Sequence, residues 1–469
     1  MSMITKIVSL ILSFTQMLCV LIEIPRPHTI GVDTAVRYQT SEGFGTSAAW
    51  WAQHIDDDST AKEIAELLFN KETGLGLDVF RYNVGAGERE NPSSVINGDY
   101  TKTDSFYVLN EQTGEYEFDF SRDANARRVM DYALENGATS IILFCNSPHF
   151  SMTENGLGSG STEEGHCNLP KENYQKFVDY LLTIADRFTE LGYPVTYISP
   201  INEPQWNWGT GYVGQEGCHY SADEAVELLE LFAVTMKERN TPYSLSGIET
   251  GDMSQAHSEY QEKFFASKIL TDYCDTFSGH SYWIASQEDK QAIGKRYKQI
   301  SHGTRFVMSE WCELPQTLNP TTIDSALCMA ETVWGDLTLL NAVSWQSWAA
   351  VNGDGLLCLD NGEVNTFMRY YAFKQFAAFI PTGSVRVKTT DSLRDKSTLN
   401  AVAYDTGDSV VLVVINSTEE AESIVLNGGF VSAEIYVTDE EKRCEKAFDK
   451  EFTGNVTFGA KSITTLVLK

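Results

Sequence analysis

"ISPINEPQWNWG", Ile198–Gly209, starts as an apolar strand and ends in an acid, Glu203, set between Asn202 and Pro204. Two tryptophans, Trp206 and Trp208, follow within five positions. A second stretch has the same build: "RFVMSEW", Arg305–Trp311, delivers Glu310 at the end of another apolar run. Three strand–helix repeats of roughly 30 to 35 residues each fill the interval between the two acids. Strands four and seven of an eightfold repeat would then both finish in a glutamate, on one shared rim.

The surrounding chain supplies that repeat. Between residues 42 and 380, short β-branched runs alternate with amphipathic stretches. Strands are predicted at 43–47, 79–83, 140–146, 195–202, 243–249, 276–280, 305–310 and 342–348, with helices between them. "STAKEIAELLFN" reads as a helix capped by Ser59, and "SRDANARRVMDYALENG" as one stopped by Gly137. Eight repeats predict an α/β chain, a (β/α)8 TIM barrel rather than a doubly wound sheet. No G-x-G-x-x-G or phosphate loop follows the first strand, which weighs against nucleotide binding.

After Pro381 the pattern changes to short alternating strands, among them "SVRVKTT", "DSVVLVVINS" and "SITTLVLK". Residues 381–469 are therefore expected to form a C-terminal β-sandwich side domain, to which 24–41 would add an N-terminal strand. The first 23 residues read as a secretory signal. Lys6 supplies the positive start, and the apolar run Ile7–Ile22 is short of the roughly 20 residues a membrane span needs. Secretion, with no membrane insertion once the leader is removed, is the expectation.

The formal net charge is −30, which repels nucleic acid and anionic lipid and excludes both as natural partners. Aromatic residues make up 12% of the chain, a fraction that suits both a large core and platforms for sugar rings. Nine cysteines show no C-x-x-C spacing. Two stand beside histidines, in "GHC" (Gly165–Cys167) and "GCH" (Gly217–His219). Four such ligands would suit zinc, but a disulfide between neighbouring loops or free thiols is the plainer reading, and no metal or cofactor is expected.

Polar residues at strand ends on the C-terminal face of a barrel read as catalytic. Here they are Arg81, Asn202, Glu203, Glu249, His280 and Glu310, with Trp345 among them. Cleavage of a glycosidic bond needs two carboxyl groups, one protonated to donate to the leaving oxygen and one ionised to attack the anomeric carbon. Strands four and seven face each other across a barrel, so a separation near the ~5 Å of retaining enzymes is feasible.

The ordered set "GFGTSAAWWA", "FRYNVGAGE", "NSPHFSM", "ISPINEPQW", "GHSYW", "VMSEW" and "SWQSWA" resembles glycoside hydrolase family 30, a family of clan A retaining glycosidases, and spans nearly the whole chain. The resemblance implies that Glu203 is the general acid/base and Glu310 the nucleophile of a double displacement. It implies that Asn202 binds the sugar 2-hydroxyl, that Arg81 keeps Glu310 ionised, and that Tyr282 donates to the nucleophile with His280 behind it. Trp345 would be the platform under the sugar at the cleavage point. Trp206, and Trp50 or Trp51, would be further platforms. In "NSPHFSM", His149 and Ser151 stand where many relatives have proline and tryptophan, so one aromatic wall is expected to be missing. "GTSAAWWA" with "NEPQW" and "QEGCHY" resembles in particular the branch acting on β-1,6-linked galactans, so the expected partner is a polysaccharide bound by a monomer.

Glucuronoxylanase and β-1,6-glucanase specificities are the alternatives within the family, although no Arg/Lys-rich loop offers a pocket for a uronate. Outside it stand a catalytically dead carbohydrate-binding protein and a calcium-dependent adhesive protein suggested by "NGDGLLCLDNGE". That stretch does not match the spacing of a calcium loop.

Overall fold

The computed structural model describes residues 27–469 apart from Ala285, Asp354, Arg394 and Asp395; the expected leader, 1–23, lies outside the described residues. Eight parallel strands run Phe44–Ser47, Val79–Asn83, Ser140–Phe144, Val195–Ser199, Ser244–Leu245, Thr276–His280, Arg305–Trp311 and Ser344–Ala349. They are called strands one to eight below. Each pairs with its chain neighbour, and strand eight returns to strand one with Trp345 opposite Phe44. Between strands five and six the ladder shrinks to a bridge between Thr250 and Gly279, where the His280 amide donates to the Thr250 carbonyl at 2.8 Å. The result is a nearly closed barrel.

Runs such as Ile141–Phe144 are buried throughout because helices cover the outer face and side chains fill the lumen. The fifth strand is two residues long, against seven expected, because Gly247 and Gly251 interrupt it. The helices follow the predicted 3.6-residue pattern. Tyr174–Glu190 buries Phe177, Leu181, Ile184 and Phe188 along one stripe. Ala222–Arg239 starts from a reciprocal Ser221–Glu224 capping box. The helix Asp58–Phe69 begins earlier than predicted. Its cap is Asp57, whose carboxylate accepts from the Thr60 amide, while Ser59 already lies inside the first turn.

Two hairpins, Tyr107–Asn110 with Glu115–Phe118 and Leu357–Asp360 with Glu363–Thr366, stand apart, and the other described strands form a nine-stranded sheet with its own apolar core, built on Ile30, Val387, Leu412, Val414, Phe458 and Leu466. The long strand Thr29–Thr40 lies inside it, antiparallel to Val385–Asp391 and parallel to Glu422–Asn427. This β-sandwich rests on the barrel helices. Thr465 Oγ1 donates to the Gln375 carbonyl at 2.7 Å, and the Trp334 indole to the Ala401 carbonyl at 3.0 Å. All eight barrel strands point their C-terminal ends at one rim, which gathers the polar residues described next.

Candidate active site

Arg81, in strand two, is completely buried and reaches three strands at once. Its Nη1 donates to Glu310 Oε2 at 2.8 Å, and its Nη2 to Glu249 Oε2 at 2.5 Å and to Asn202 Oδ1 at 3.2 Å. Phe144, at the end of strand three, covers the guanidinium at 3.5 Å. A cation in so dry a place is tolerated only because carboxylates meet it directly.

His280, at the end of strand six, is the second hub. Nε2 faces Glu249 Oε2 at 3.2 Å; Nδ1 faces Glu203 Oε1 at 3.2 Å and Glu310 Oε1 at 3.5 Å. With carboxylates at both ring nitrogens, the ring donates from both only as an imidazolium. Burial opposes that charge, but Glu310, Glu203 and Glu249 together push the ring up to about 10. Burial also works against the Glu249 charge, yet Arg81 and His280 hold its carboxyl at about 2. Glu310 is pushed up by burial, with His280 and Arg81 pulling the other way. Tyr282 adds a hydroxyl donor to Glu310 Oε1 at 3.3 Å.

Glu203 sits just past strand four in a left-handed backbone conformation, φ 46°, uncommon for a residue with a side chain. Three backbone contacts hold it there. Its amide donates to the Glu249 carbonyl at 2.9 Å, and its own carbonyl accepts from the Trp208 indole at 2.8 Å and the Trp206 amide at 3.3 Å. Trp208 is thus buried support for the acid. Gly251 leaves room for the carboxyl, since a Cβ there would lie 2.2 Å from Glu203 Oε1. One oxygen each of Glu203 and Glu310 and one ring nitrogen of His280 all lie within 4.8 Å of one another. This spacing suits a pair of carboxyl groups acting on one face of a sugar as nucleophile and the other as proton donor.

Glu203, Glu310, Arg81, Asn202, His280 and Tyr282 therefore form one connected network. Asn202 also donates to Asn146 Oδ1 at 3.1 Å. Trp206 is half-buried on the same loop, its ring edge-on to His257 at 6.2 Å. Trp345 is a correction. Its ring is 0% exposed, packs against Phe373 and Trp311, and donates its N–H to Asp336 at 2.9 Å, so it offers no face to a sugar. Side chains alternate along a strand, and the indole on the lumen side is Trp348, 5.8 Å from the Arg81 guanidinium and edge-on to Trp50 at 5.1 Å. Trp51 is buried and bonded to the Ser47 carbonyl.

Where an aromatic wall was expected to be missing, His149 is buried, with Tyr107, Tyr116 and Phe150 around it. Glu249, read from sequence as one more strand-end polar residue with no role of its own, proves to be a full member of the site, bonded to both Arg81 and His280. The histidines beside Cys167 and Cys218 turn elsewhere: His166 to Glu154 at 2.6 Å and His219 to the Trp206 carbonyl at 3.1 Å. Their cysteines have unbridged, buried thiols.

Comparison with known proteins agrees with this arrangement. The family model for O-glycosyl hydrolase family 30 matches residues 27–356, and that for the glycosyl hydrolase family 30 beta sandwich domain matches 383–466. An endo-β-1,6-galactanase of Hypocrea rufa is 24% identical over 426 residues, covering 85% of this chain and 83% of its own. A conserved exported protein from Bacteroides fragilis superposes with a TM-score of 0.84 at 25% identity, over 94% of this chain and 100% of that one. The catalytic domain of GH30 xylanase C from Talaromyces cellulolyticus has a TM-score of 0.74 at 19% identity, again over 94% and 100%. With both family domains matched in order around a buried pair of glutamates on the barrel rim, this chain belongs to glycoside hydrolase family 30 and is a glycoside hydrolase.

Proposed function

We propose that the chain is a retaining endo-β-1,6-galactanase-like enzyme in which Glu310 is the nucleophile and Glu203 the acid/base. The observation that carries the mechanism is the spacing within 4.8 Å of the Glu203 and Glu310 carboxyl oxygens, which leaves no room for the interposed water of an inverting enzyme. The sugar assignment is supported by the relative from Hypocrea rufa and by the rim motifs of strands one and four.

In the first step a Glu310 oxygen bonds to the anomeric carbon, the glycosidic C–O bond breaks, and the departing oxygen takes the Glu203 proton. In the second, Glu203 removes a proton from water, whose oxygen bonds to the anomeric carbon as the Glu310 ester breaks. Arg81 and Tyr282 stabilise the Glu310 carboxylate before attack and again as it leaves. His280, bonded to Glu203, Glu249 and Glu310 together, tracks the proton as Glu203 alternates between its forms. Asn202 orients the 2-hydroxyl, and Trp348 with Trp50 forms the aromatic wall beside the bound sugar. The leader at 1–23 fits export of a monomeric enzyme toward the galactan side chains of arabinogalactan proteins.

The test is product analysis. The protein is incubated with de-arabinosylated arabinogalactan, glucuronoxylan, β-1,6-glucan and an aryl glycoside panel, and the anomer first released is identified by NMR. Short galacto-oligosaccharides released as the β-anomer are expected. Activity confined to glucuronoxylan overturns the sugar assignment, and initial release of the α-anomer overturns the mechanism.

A further inference from the structure

Strand six ends in His280, and the three residues after it are Ser281, Tyr282 and Trp283. The first two are anchored. Ser281 Oγ donates to the buried Asp336 at 2.9 Å and its backbone bridges to Asp252, while the Tyr282 hydroxyl reaches Glu310 at 3.3 Å. Trp283 is different: it is 52% exposed, in a left-handed conformation with φ 60°. Two costs therefore meet in one residue. A large indole is left in water, and a bulky side chain takes a backbone conformation in which it is a genuine outlier. Strain of this kind persists where surrounding contacts enforce it, and it clusters at ligand-binding sites. Here the enforcing contacts are those of Ser281 and Tyr282.

The position has a chemical direction. Glu203 gives its proton to the leaving oxygen, so the leaving-group sugar lies on the side of the cleft that Glu203 occupies. Trp206 and His257 stand on that side, on the loops after strands four and five, and Trp283 follows on the loop after strand six. Trp348 and Trp50 belong to strand eight and the loop after strand one, beside Arg81 and the nucleophile. Trp348 and Trp50 thus lie by Arg81, whereas Trp206 follows Glu203 in the chain and Trp283 follows His280, whose ring faces Glu203 at 3.2 Å. Leu314, 44% exposed on the loop after strand seven, extends the apolar surface of the mouth next to Trp283 in strand order.

We propose that Trp283 is the stacking platform of a leaving-group subsite, binding the face of the first β-linked hexose released in cleavage and the same sugar when it enters as an acceptor. The inference rests on the two-glutamate reading above, but not on which hexose is bound. Sugar rings present an apolar face of C–H groups, and an exposed indole covers that face without losing hydrogen bonds. The glycosyl ester on Glu310 would then be shared between water and a sugar hydroxyl held over Trp283. Attack by that hydroxyl forms a new glycosidic bond, with its proton passing to Glu203 and the Glu310 carboxylate released, so the chain would also act as a transglycosylase.

The experiment compares wild type, Trp283→Ala and Trp283→Phe on the glycan that the wild type cleaves and on an activated aryl glycoside, with added oligosaccharide as acceptor. For Trp283→Ala, kcat/KM on the glycan is expected to fall on the order of tenfold more than on the aryl glycoside, chiefly through KM. The ratio of transglycosylation to hydrolysis should fall with it, and Trp283→Phe should restore much of both. A structural defect would lower both substrates together and leave the product ratio unchanged, and that result overturns the inference. A wild-type chain that cleaves no glycoside removes the two-glutamate reading and this inference with it. An active wild type with unaltered ratios in Trp283→Ala removes only the inference.

Discussion

Arg81 Nη1 and Glu310 Oε2 meet at 2.8 Å with the guanidinium wholly out of water, so the proposed nucleophile and its counter-charge form a buried pair between strands two and seven. The same guanidinium bonds Glu249 and Asn202, so removing it strands two carboxylates. Arg81→Met is expected to cost about 3–5 kcal/mol of stability, read from denaturant midpoints, and to abolish turnover. Arg81→Lys keeps the charge but not the fork, and kcat should fall on the order of 100-fold with the fold retained.

Glu249 supplies charge without touching the reacting bond. Glu249→Gln removes the partner of His280 Nε2, so the imidazolium loses one of the three carboxylates that raise it to about 10. The wild-type profile of kcat/KM against pH should be bell-shaped. Its acid limb should lie above the ordinary carboxylate range, because Glu310 is pushed up by burial. The alkaline limb reports loss of the proton that His280 shares with the carboxylates around it, as a property of the cluster. In Glu249→Gln that limb should move to lower pH, and an unchanged limb would show that Glu249 does not act through His280.

Gly251 is predicted to be as sensitive as the acid it shelters. A Cβ 2.2 Å from Glu203 Oε1 must displace the carboxyl, and a shift of about 1 Å costs on the order of 100-fold in rate. Gly251→Ala should show that loss on the polysaccharide but much less on an activated aryl glycoside, whose leaving group needs little protonation.

Away from the barrel rim, His28 bonds Glu422 through Nδ1 at 2.8 Å and Asp391 through Nε2 at 2.9 Å, tying the first described strand to both of its neighbours. Burial opposes its protonation, but the bonds to Asp391 and Glu422 leave its pKa raised above 6.5. A raised histidine stabilises the fold fully below its unfolded pKa of about 6.5 and loses that contribution as pH climbs through its folded value. The stability difference between wild type and His28→Gln, measured by thermal melts, should be largest below about pH 6.5 and should shrink as pH rises above it.

The barrel was legible from its eight alternating strand and helix patterns, and the rim from Glu203, His280 and Glu310, acids and a histidine that follow apolar runs, whereas Arg81 lies inside strand two. Trp345 was misread because two tryptophans three apart on one strand face opposite ways, and sequence does not say which face is the lumen. Only the packing of Trp345 on Phe373 and Asp336 identifies it as the outer one. Glu249 was visible as a strand-end acid, but its role was not, because its bonds to Arg81 and His280 join strands far apart in the chain. Asp57 and Ser59 both suit a helix cap, and the cap is the carboxylate that accepts the Thr60 amide. Trp283 carries no mark in sequence at all, since exposure and a left-handed backbone are properties of the folded loop.

The two-glutamate account is tested most directly by azide rescue of the two glutamate variants, with the product anomer assigned by NMR. In Glu203→Ala, an aryl β-glycoside still forms the ester on Glu310, and azide should attack it to release the β-glycosyl azide. In Glu310→Ala, azide entering the vacated space should displace the leaving group directly and give the α-azide. A β-azide from Glu310→Ala with an α-azide from Glu203→Ala would show that the roles are reversed, and two fully active variants would contradict the account.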